Sequence, residues 1–199
     1  MSKEYNVIYA DPPWQQKQGR KLKGYKVVDG KQVFQSVDDK AQDLPYQTMS
    51  IDEICNLDVQ SIAADDCFLF MWVTNKYLLD AKKVVEAWGF KYSTTITWCK
   101  QTMGGGLGGD FGINCEYLIF ARKGKPKATK KVKSTWFNIK REYENGYPCS
   151  SRKPHFFRQM IDDMATGNKV ELFARKRFEG WDVFGNEVEG SITIGNKNE

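Results

Sequence analysis

A chain of 199 residues with 41% hydrophobic and 14% aromatic side chains is long enough for one domain with a sizeable core and too apolar to stay disordered. Its formal net charge of +5 suits a polyanionic partner without demanding one. The cysteines (Cys55, Cys67, Cys99, Cys115, Cys149) include no C-x-x-C pair and His155 is the single histidine, which argues against a disulfide framework or a metal centre and points to reduced thiols in a cytoplasmic protein.

Val7, Ile8, Tyr9 and Ala10 predict a strand buried on both faces. It stops at Asp11-Pro12-Pro13-Trp14. A residue before proline is pushed into extended geometry and neither proline has an N–H, so the stretch should form a stiff corner. Such a corner presents a carboxylate, the Pro12 carbonyl and the face of Trp14 at the carboxyl end of a strand, where α/β sheets collect ligands. Two readings stand side by side here. One is a strand-ending turn, since Asp-Pro and Pro-Pro are turn dipeptides. The other is methylation of the exocyclic amine of a purine: Asp11 and the Pro12 carbonyl would accept the amino hydrogens, and Trp14 would stack on the base.

A basic stretch follows, with Lys17, Arg20, Lys21, Lys23 and Lys26 around Gly19, Gly24 and Tyr25. It is either a solvated loop or a nucleic-acid contact. Ser50-Ile51-Asp52-Glu53 is a capping box that opens a short helix ending near Leu57. Residues 67–73 predict a second buried strand, far too short to span a membrane. Then comes a helix with Tyr77, Leu78, Ala81, Val84, Val85 and Trp88 on its inner face and Gly89 as its stop. Residues 92–98 and 116–122 predict further strands. Between them the glycine-rich 104–109 lacks the G-K-[ST] ending of a phosphate loop. The lysine-rich 123–133 predicts an exposed connection. Pro154 should open a helix with Phe157, Met160, Ile161 and Met164 facing inward, and residues 169–174 predict the last strong strand. The 180–187 stretch reads as a turn, and residues after Val188 as a polar tail. The first strand begins too early to leave room for a signal peptide. Strands alternating with helices imply a single α/β domain over 1–199, Rossmann-like, with a mostly parallel sheet covered by helices on both faces.

Taken together, several stretches resemble one family. They are Y-A-D-P-P-W at 9–14, P-Y-Q-T-M-S at 45–50, F-L-F-M-W-V-T-N at 68–75, E-A-W-G-F at 86–90, S-R-K-P at 151–154, E-L-F-A-R at 171–175 and G-W-D-V-F-G-N-E at 180–187. In this order they resemble the MT-A70 family of N6-adenine methyltransferases, in a compact prokaryotic or phage form. The resemblance implies a methyltransferase fold with permuted motif order, the D-P-P-W strand first and the cofactor strand near the C-terminus. It implies S-adenosylmethionine as cofactor, and Asp11, Pro12, Pro13 and Trp14 as the catalytic group. Lys153 would hold the cofactor's carboxylate and Asp11 its amino group. Arg175, Asn186 and Glu187 would hold its ribose and adenine, and Glu171 and Phe173 would line its pocket. The expected partner is nucleic acid, DNA in preference to RNA, read by Trp14 and by Lys17, Arg20, Lys21, Lys23 and Lys26. No membrane partner is expected, and a homodimer is left open.

Three departures from the family pattern stand out. Ser150 replaces a histidine, with His155-Phe156 in place of acidic residues. An arginine common after the glycine-rich loop is replaced near Gly112. The stretch 17–43 is longer than in compact relatives and reads as a basic insertion. The rival expectation is an inactive nucleic-acid-binding scaffold for a catalytic partner.

Overall fold

Continuous apolar runs in the central strands, buried on both faces, build this fold from the middle of its sheet outward. The computed structural model describes residues 3–15, 23–28, 31–36, 47–101, 110–144, 147–148 and 152–197; for 23–28, 31–36, 143–144 and 147–148 it describes the backbone alone. In chain order the strands are β1 (Tyr5–Ala10), β2 (Lys23–Val28), β3 (Lys31–Ser36), β4 (Ala63–Val73), β5 (Lys91–Cys99), β6 (Cys115–Lys123), β7 (Trp136–Asn138), β8 (Tyr143–Glu144), β9 (Tyr147–Pro148), β10 (Lys169–Leu172) and β11 (Asp182–Phe184). The α-helices are α1 (Ile51–Asn56), α2 (Ala81–Ala87) and α3 (His155–Met164).

The main sheet has seven strands in the order β11-β10-β1-β4-β6-β5-β7. Every pairing is parallel except the two that β6 makes, with β4 and with β5. The expected mostly parallel α/β sheet is therefore present. Side chains alternate between its faces. Ile8 and Ala10 of β1, Leu69, Met71 and Val73 of β4, and Val170 and Leu172 of β10 join one core with residues of α1 and α2. Val7, Tyr9, Phe68, Phe70 and Trp72 join the other, against Phe157, Met160, Ile161 and Met164 of α3. Helices cover both faces, as the sequence predicts.

Local signals explain the individual elements. The Ser50 hydroxyl accepts from the Glu53 N–H while the Glu53 carboxylate accepts from the Ser50 N–H, the predicted capping box at the start of α1. The indole of Trp88 donates to the Ile54 carbonyl at 2.8 Å, tying the end of α2 to α1. Gly89 sits at φ +83°, the left-handed geometry that ends a helix.

Four expectations are corrected. The helix predicted from Tyr77 to Trp88 is split: Asn75–Tyr77 is a 3-10 turn, and α2 starts only at Ala81. The basic 17–43 insertion contains an antiparallel ribbon, β2 with β3, where a loop was expected. The 180–187 turn contains β11, parallel to β10, with Val183 fully buried opposite Glu171 in the register and Phe184 opposite Leu172 at the sheet edge. The polar tail is not loose. Ser191 donates to the Val183 carbonyl at 2.8 Å, Asp58 to Gly195 at 3.0 Å and Lys197 to Asn56 at 2.9 Å, and Ile194 is buried. Ile194 anchors it, an apolar side chain in a polar stretch. The glycine-rich 104–109 lies outside the described residues. Among the described residues no helix is long and apolar enough to cross a membrane.

Candidate active site

Strand β1 ends at Asp11 beneath a cavity of about 740 Å³ at the carboxyl ends of β1, β10 and β11. The topology gathers its wall from distant parts of the chain. Asp11, Pro12, Pro13 and Trp14 follow β1, Glu116 comes from β6 and Lys153 from the approach to α3. Phe173 and Arg175 follow β10, and Gly185, Asn186 and Glu187 follow β11.

A chain of opposite charges runs along the floor. The Lys153 ammonium donates to Asp11 Oδ2 at 2.8 Å and lies 3.2 Å from Glu116 Oε2, while Glu116 Oε1 pairs with Lys100. The Asp11 side chain is 28% exposed and the other three are more deeply buried. Burial pushes the Asp11 carboxyl above the ordinary carboxylate range, and Lys153 only partly reverses this. At Glu116 burial also acts to raise the value, but Lys153 and Lys100 together outweigh it and hold the carboxyl low. Burial acts to lower Lys153, and the Asp11 and Glu116 carboxylates more than compensate, so the ammonium is held above the usual lysine range. The two carboxylates that flank Lys153 are thus pushed apart: Glu116 is fixed as an anion, and Asp11 is poised closer to protonation.

The Asp11-Pro12-Pro13-Trp14 corner is held from three sides. Trp14 N–H donates to the Pro12 carbonyl at 2.8 Å, Met49 N–H donates to Pro13 O at 2.8 Å, and Gln15 N–H donates to Met49 O at 3.0 Å. The Trp14 indole N–H donates to the Trp72 carbonyl at 2.9 Å, and its ring stacks on Tyr77 with centroids 5.3 Å apart. Across the cavity, Phe173 adopts φ +62°, a left-handed conformation uncommon for an aromatic residue. That turn ends β10 and brings Phe173 and Arg175 to the wall. Arg175 Nε lies 3.4 Å from Glu187 Oε1, and Ala174 N–H donates to Phe184 O at 3.0 Å. Gly185 packs on this strand end so closely that a Cβ would run into the Ala174 carbonyl and lie 2.8 Å from its nitrogen.

The MT-A70 family model matches residues 5–187, most of the chain. The chain belongs to the MT-A70 family. Type II methyltransferase M.MunI of Mycoplasma sp. is 32% identical over 197 residues, covering 94% of this chain and 78% of the relative. The N(6)-adenosine-methyltransferase MT-A70-like protein of Arabidopsis thaliana is 28% identical over 94% of this chain. The human N(6)-adenosine-methyltransferase catalytic subunit METTL3 is 24% identical over 94% of this chain. The match spans only about a quarter of the plant protein (24%) and 29% of the human one.

In this MT-A70 protein Asp11, Pro12, Pro13, Trp14, Lys153, Phe173, Arg175, Asn186 and Glu187 all reach the cavity. Glu171 does not. Its neighbours Val170 and Leu172 face the α1/α2 core, so alternation sends Glu171 to the α3 face. There it meets Arg158 Nη2 at 2.6 Å, under the rings of Phe178 and Trp181. The expectation that Glu171 lines the pocket is corrected. Two further expectations change. The Pro12 carbonyl is not free, because the turn that closes the corner already gives it one N–H; a carbonyl has a second lone pair and can accept again. Trp14 is only 5% exposed with Tyr77 stacked on it, because its ring is part of the α1/α2 core, so it is a wall of the site more than an open platform. Lys17, Arg20 and Lys21 lie outside the described residues; Lys23 and Lys26 fall on β2, described by its backbone.

Sequence reasoning missed Glu116 and Lys100. Each reads as an ordinary charge at a strand end. No spacing in the chain signals them, because only the β5–β6 register brings the Trp98-Cys99-Lys100 and Cys115-Glu116 stretches together.

Gly185→Ala is expected to weaken binding in this cavity at least several-fold with a smaller effect on thermal stability, because the added methyl must push residues 185–187 off the end of β10. Calorimetry with S-adenosylmethionine, the cofactor that the resemblance implies, checks it; unchanged affinity would place the 185–187 segment outside the binding surface.

Proposed function

We propose that this MT-A70 protein transfers a methyl group from S-adenosylmethionine to the N6 amino group of adenine in nucleic acid, DNA in preference to RNA. The observation that carries this reading is the Asp11 carboxylate, presented to the cavity with a raised pKa and a 2.8 Å contact to Lys153.

The residues present fit the cofactor. A cavity of about 740 Å³ falls in the range of roughly 300–1,000 Å³ usual for ligands of this size. Lys153 offers a cation for a carboxylate, Asp11 an acceptor for an ammonium group, and Arg175, Asn186 and Glu187 polar groups for a ribose and a purine, beside the ring of Phe173. S-adenosylmethionine, when bound, supplies an electrophilic sulfonium methyl. The protein's part is orientation and electrostatics. The adenine amino lone pair is delocalised into its ring; Asp11 accepts one amino hydrogen and the second lone pair of Pro12 O accepts the other, which frees the nitrogen lone pair to point at the methyl. Pre-aimed acceptors and positioning of this kind account for large parts of many catalytic barriers. Trp14, locked by Tyr77 and the Trp72 carbonyl, gives the base a rigid wall. A duplex adenine must leave the stack to reach it.

On this reading the motif order is permuted, with catalytic β1 first and the cofactor-side β10 late. Lys17, Arg20, Lys21, Lys23 and Lys26 are assigned to phosphates on charge alone, and the protein to the cytoplasm. The preference for DNA is supported by the relative M.MunI, a type II methyltransferase matched over 78% of its length. An inactive scaffold is disfavoured because the charged array from Asp11 to Lys100 is complete.

The decisive experiment offers the protein S-adenosylmethionine with duplex DNA, single-stranded DNA and single-stranded RNA, then measures N6-methyladenine after digestion. DNA is expected to carry the mark. Cofactor binding without methylation of any substrate would favour the scaffold, and no cofactor binding would overturn the reading.

A further inference from the structure

Cys99 and Cys115 face each other across β5 and β6, with their sulfurs 3.3 Å apart. The register decides how close their backbones are. Lys100 N–H donates to the Asn114 carbonyl at 2.9 Å, and the Cys99 carbonyl accepts from Ile139 N–H on the other side, at 3.0 Å. Cys99 and Cys115 are therefore a non-hydrogen-bonded antiparallel pair, the class with Cα atoms about 4.5 Å apart. That separation lies within the ~4.4–6.8 Å that a disulfide spans, so closing the bond needs the sulfurs to move by only about 1.3 Å. Both thiols are partly exposed. Their chain neighbours are Lys100 and Glu116, the distal pair of the charge chain that ends at Asp11.

We propose that Cys99 and Cys115 are a reversible thiol-oxidation site, which a hydroperoxide converts to a disulfide clipping β5 to β6 beside the Lys100–Glu116 ion pair. The peroxide transfers one oxygen to a first thiol, giving a sulfenic acid and water or alcohol. The second sulfur then attacks the sulfenic sulfur, its proton leaving with the hydroxyl as water. Two thiols are oxidised by two electrons and the peroxide O–O bond is reduced. A dithiol reverses the step by exchange.

The resting state is the dithiol. Burial first, and then the hydrogen bond and charge of Cys99, push the Cys115 thiol up to about 11, so little thiolate is present at neutral pH and oxidation needs sustained peroxide. Once formed, the bond encloses the chain between residues 99 and 115 and pulls on the backbone of Lys100 and Glu116, and through the Glu116 carboxylate on Lys153. This effect on the cavity rests on the function proposed above; the thiol chemistry does not.

The test treats the whole protein with hydrogen peroxide, followed by mass spectrometry of the intact chain and of its peptides. The wild type is expected to lose two hydrogens, mapped to a Cys99–Cys115 link, to regain them with dithiothreitol, and to melt roughly 5–10 °C higher when oxidised, as a loop of this length predicts. Cys99→Ser should show neither the link nor the melting shift. Calorimetry should find S-adenosylmethionine binding several-fold weaker in the oxidised wild type. A link through another cysteine, or over-oxidised sulfur without a link, overturns the site. A correct link with unchanged cofactor affinity overturns its coupling to the cavity. Failure of even the reduced protein to bind S-adenosylmethionine counts against the proposed function, and peptide mapping still decides the thiol site.

Discussion

Replacing Asp11 with alanine is expected to slow methyl transfer by on the order of a hundredfold or more while the protein stays folded, because in the proposed mechanism it removes an acceptor aimed at the reacting amine. The structure says why the fold should survive. Asp11 sits at the rim of the sheet, and Lys153 keeps Glu116 as a partner at 3.2 Å after the carboxylate has gone. The charge itself adds no stability at neutral pH. A carboxyl whose folded pKa is raised stabilises the fold most in acid, below its unfolded value, and that contribution is lost as pH rises through the folded value. The melting temperature of Asp11→Ala at neutral pH should therefore stay level or rise slightly. The raised value also sets the acid side of the rate profile. The ionised form is the stronger acceptor of an amino hydrogen, so wild-type activity should begin to fall above the ordinary carboxylate range as pH drops. Single-turnover rates beside thermal melts check both halves; a fully active Asp11→Ala protein would sink the mechanism.

How far a sequence reveals such a site depends on how local its causes are. β1, β4 and α3 are legible because their own apolar spacing specifies them, and α1 because Ser50 and Glu53 cap it within a single turn. β11 is not. Asp182, Val183 and Phe184 make a strand only because β10 offers an edge, a non-local cause hidden between Gly180 and Gly185. The tail fails for the same reason, since the hydrogen bonds of Gly195 and Lys197 go to residues 58 and 56, more than a hundred positions away. At the site, the Asp11-Pro12-Pro13-Trp14 stretch announces chemistry because carboxylate, prolines and indole are contiguous. Which way a strand residue points is harder to read. Glu171 lies in the right strand, but one step of alternation decides whether it meets the cavity or Arg158. Lys100 and Glu116 are joined only by the β5–β6 register, and no spacing within the chain encodes that.

Lys153 carries the second large effect, and here structure and resemblance pull in different directions. The family pattern casts Lys153 as a holder of the cofactor's carboxylate; the structure places it 2.8 Å from Asp11 as well. A lysine in that position keeps its neighbour ionised. Burial and the Glu116 charge both raise the Asp11 carboxyl, and the Lys153 ammonium lowers it more strongly than Arg175 does. In Lys153→Met the raising influences remain, so the acid limb of the rate profile should move to higher pH, with activity at neutral pH depressed at least tenfold and partly recovered in alkali. Folding should suffer less than the ~3–5 kcal/mol typical of a broken buried pair, because Glu116 still has Lys100 and Asp11 can take up a proton. The lysine's own raised pKa sets the pH range of the loss that remains. Its contribution to stability is complete at neutral pH and is lost only as pH rises through the folded value, above the usual lysine range, so wild type and variant should converge in stability only in strong alkali. Lys153→Arg keeps the charge and should restore most of the profile. A pure cofactor-binding role predicts something else: a higher KM for S-adenosylmethionine with the acid limb unmoved. Profiles of kcat and kcat/KM for the wild type and both variants separate the two, and a Lys153→Met limb that coincides with the wild type would remove Lys153 from the control of Asp11.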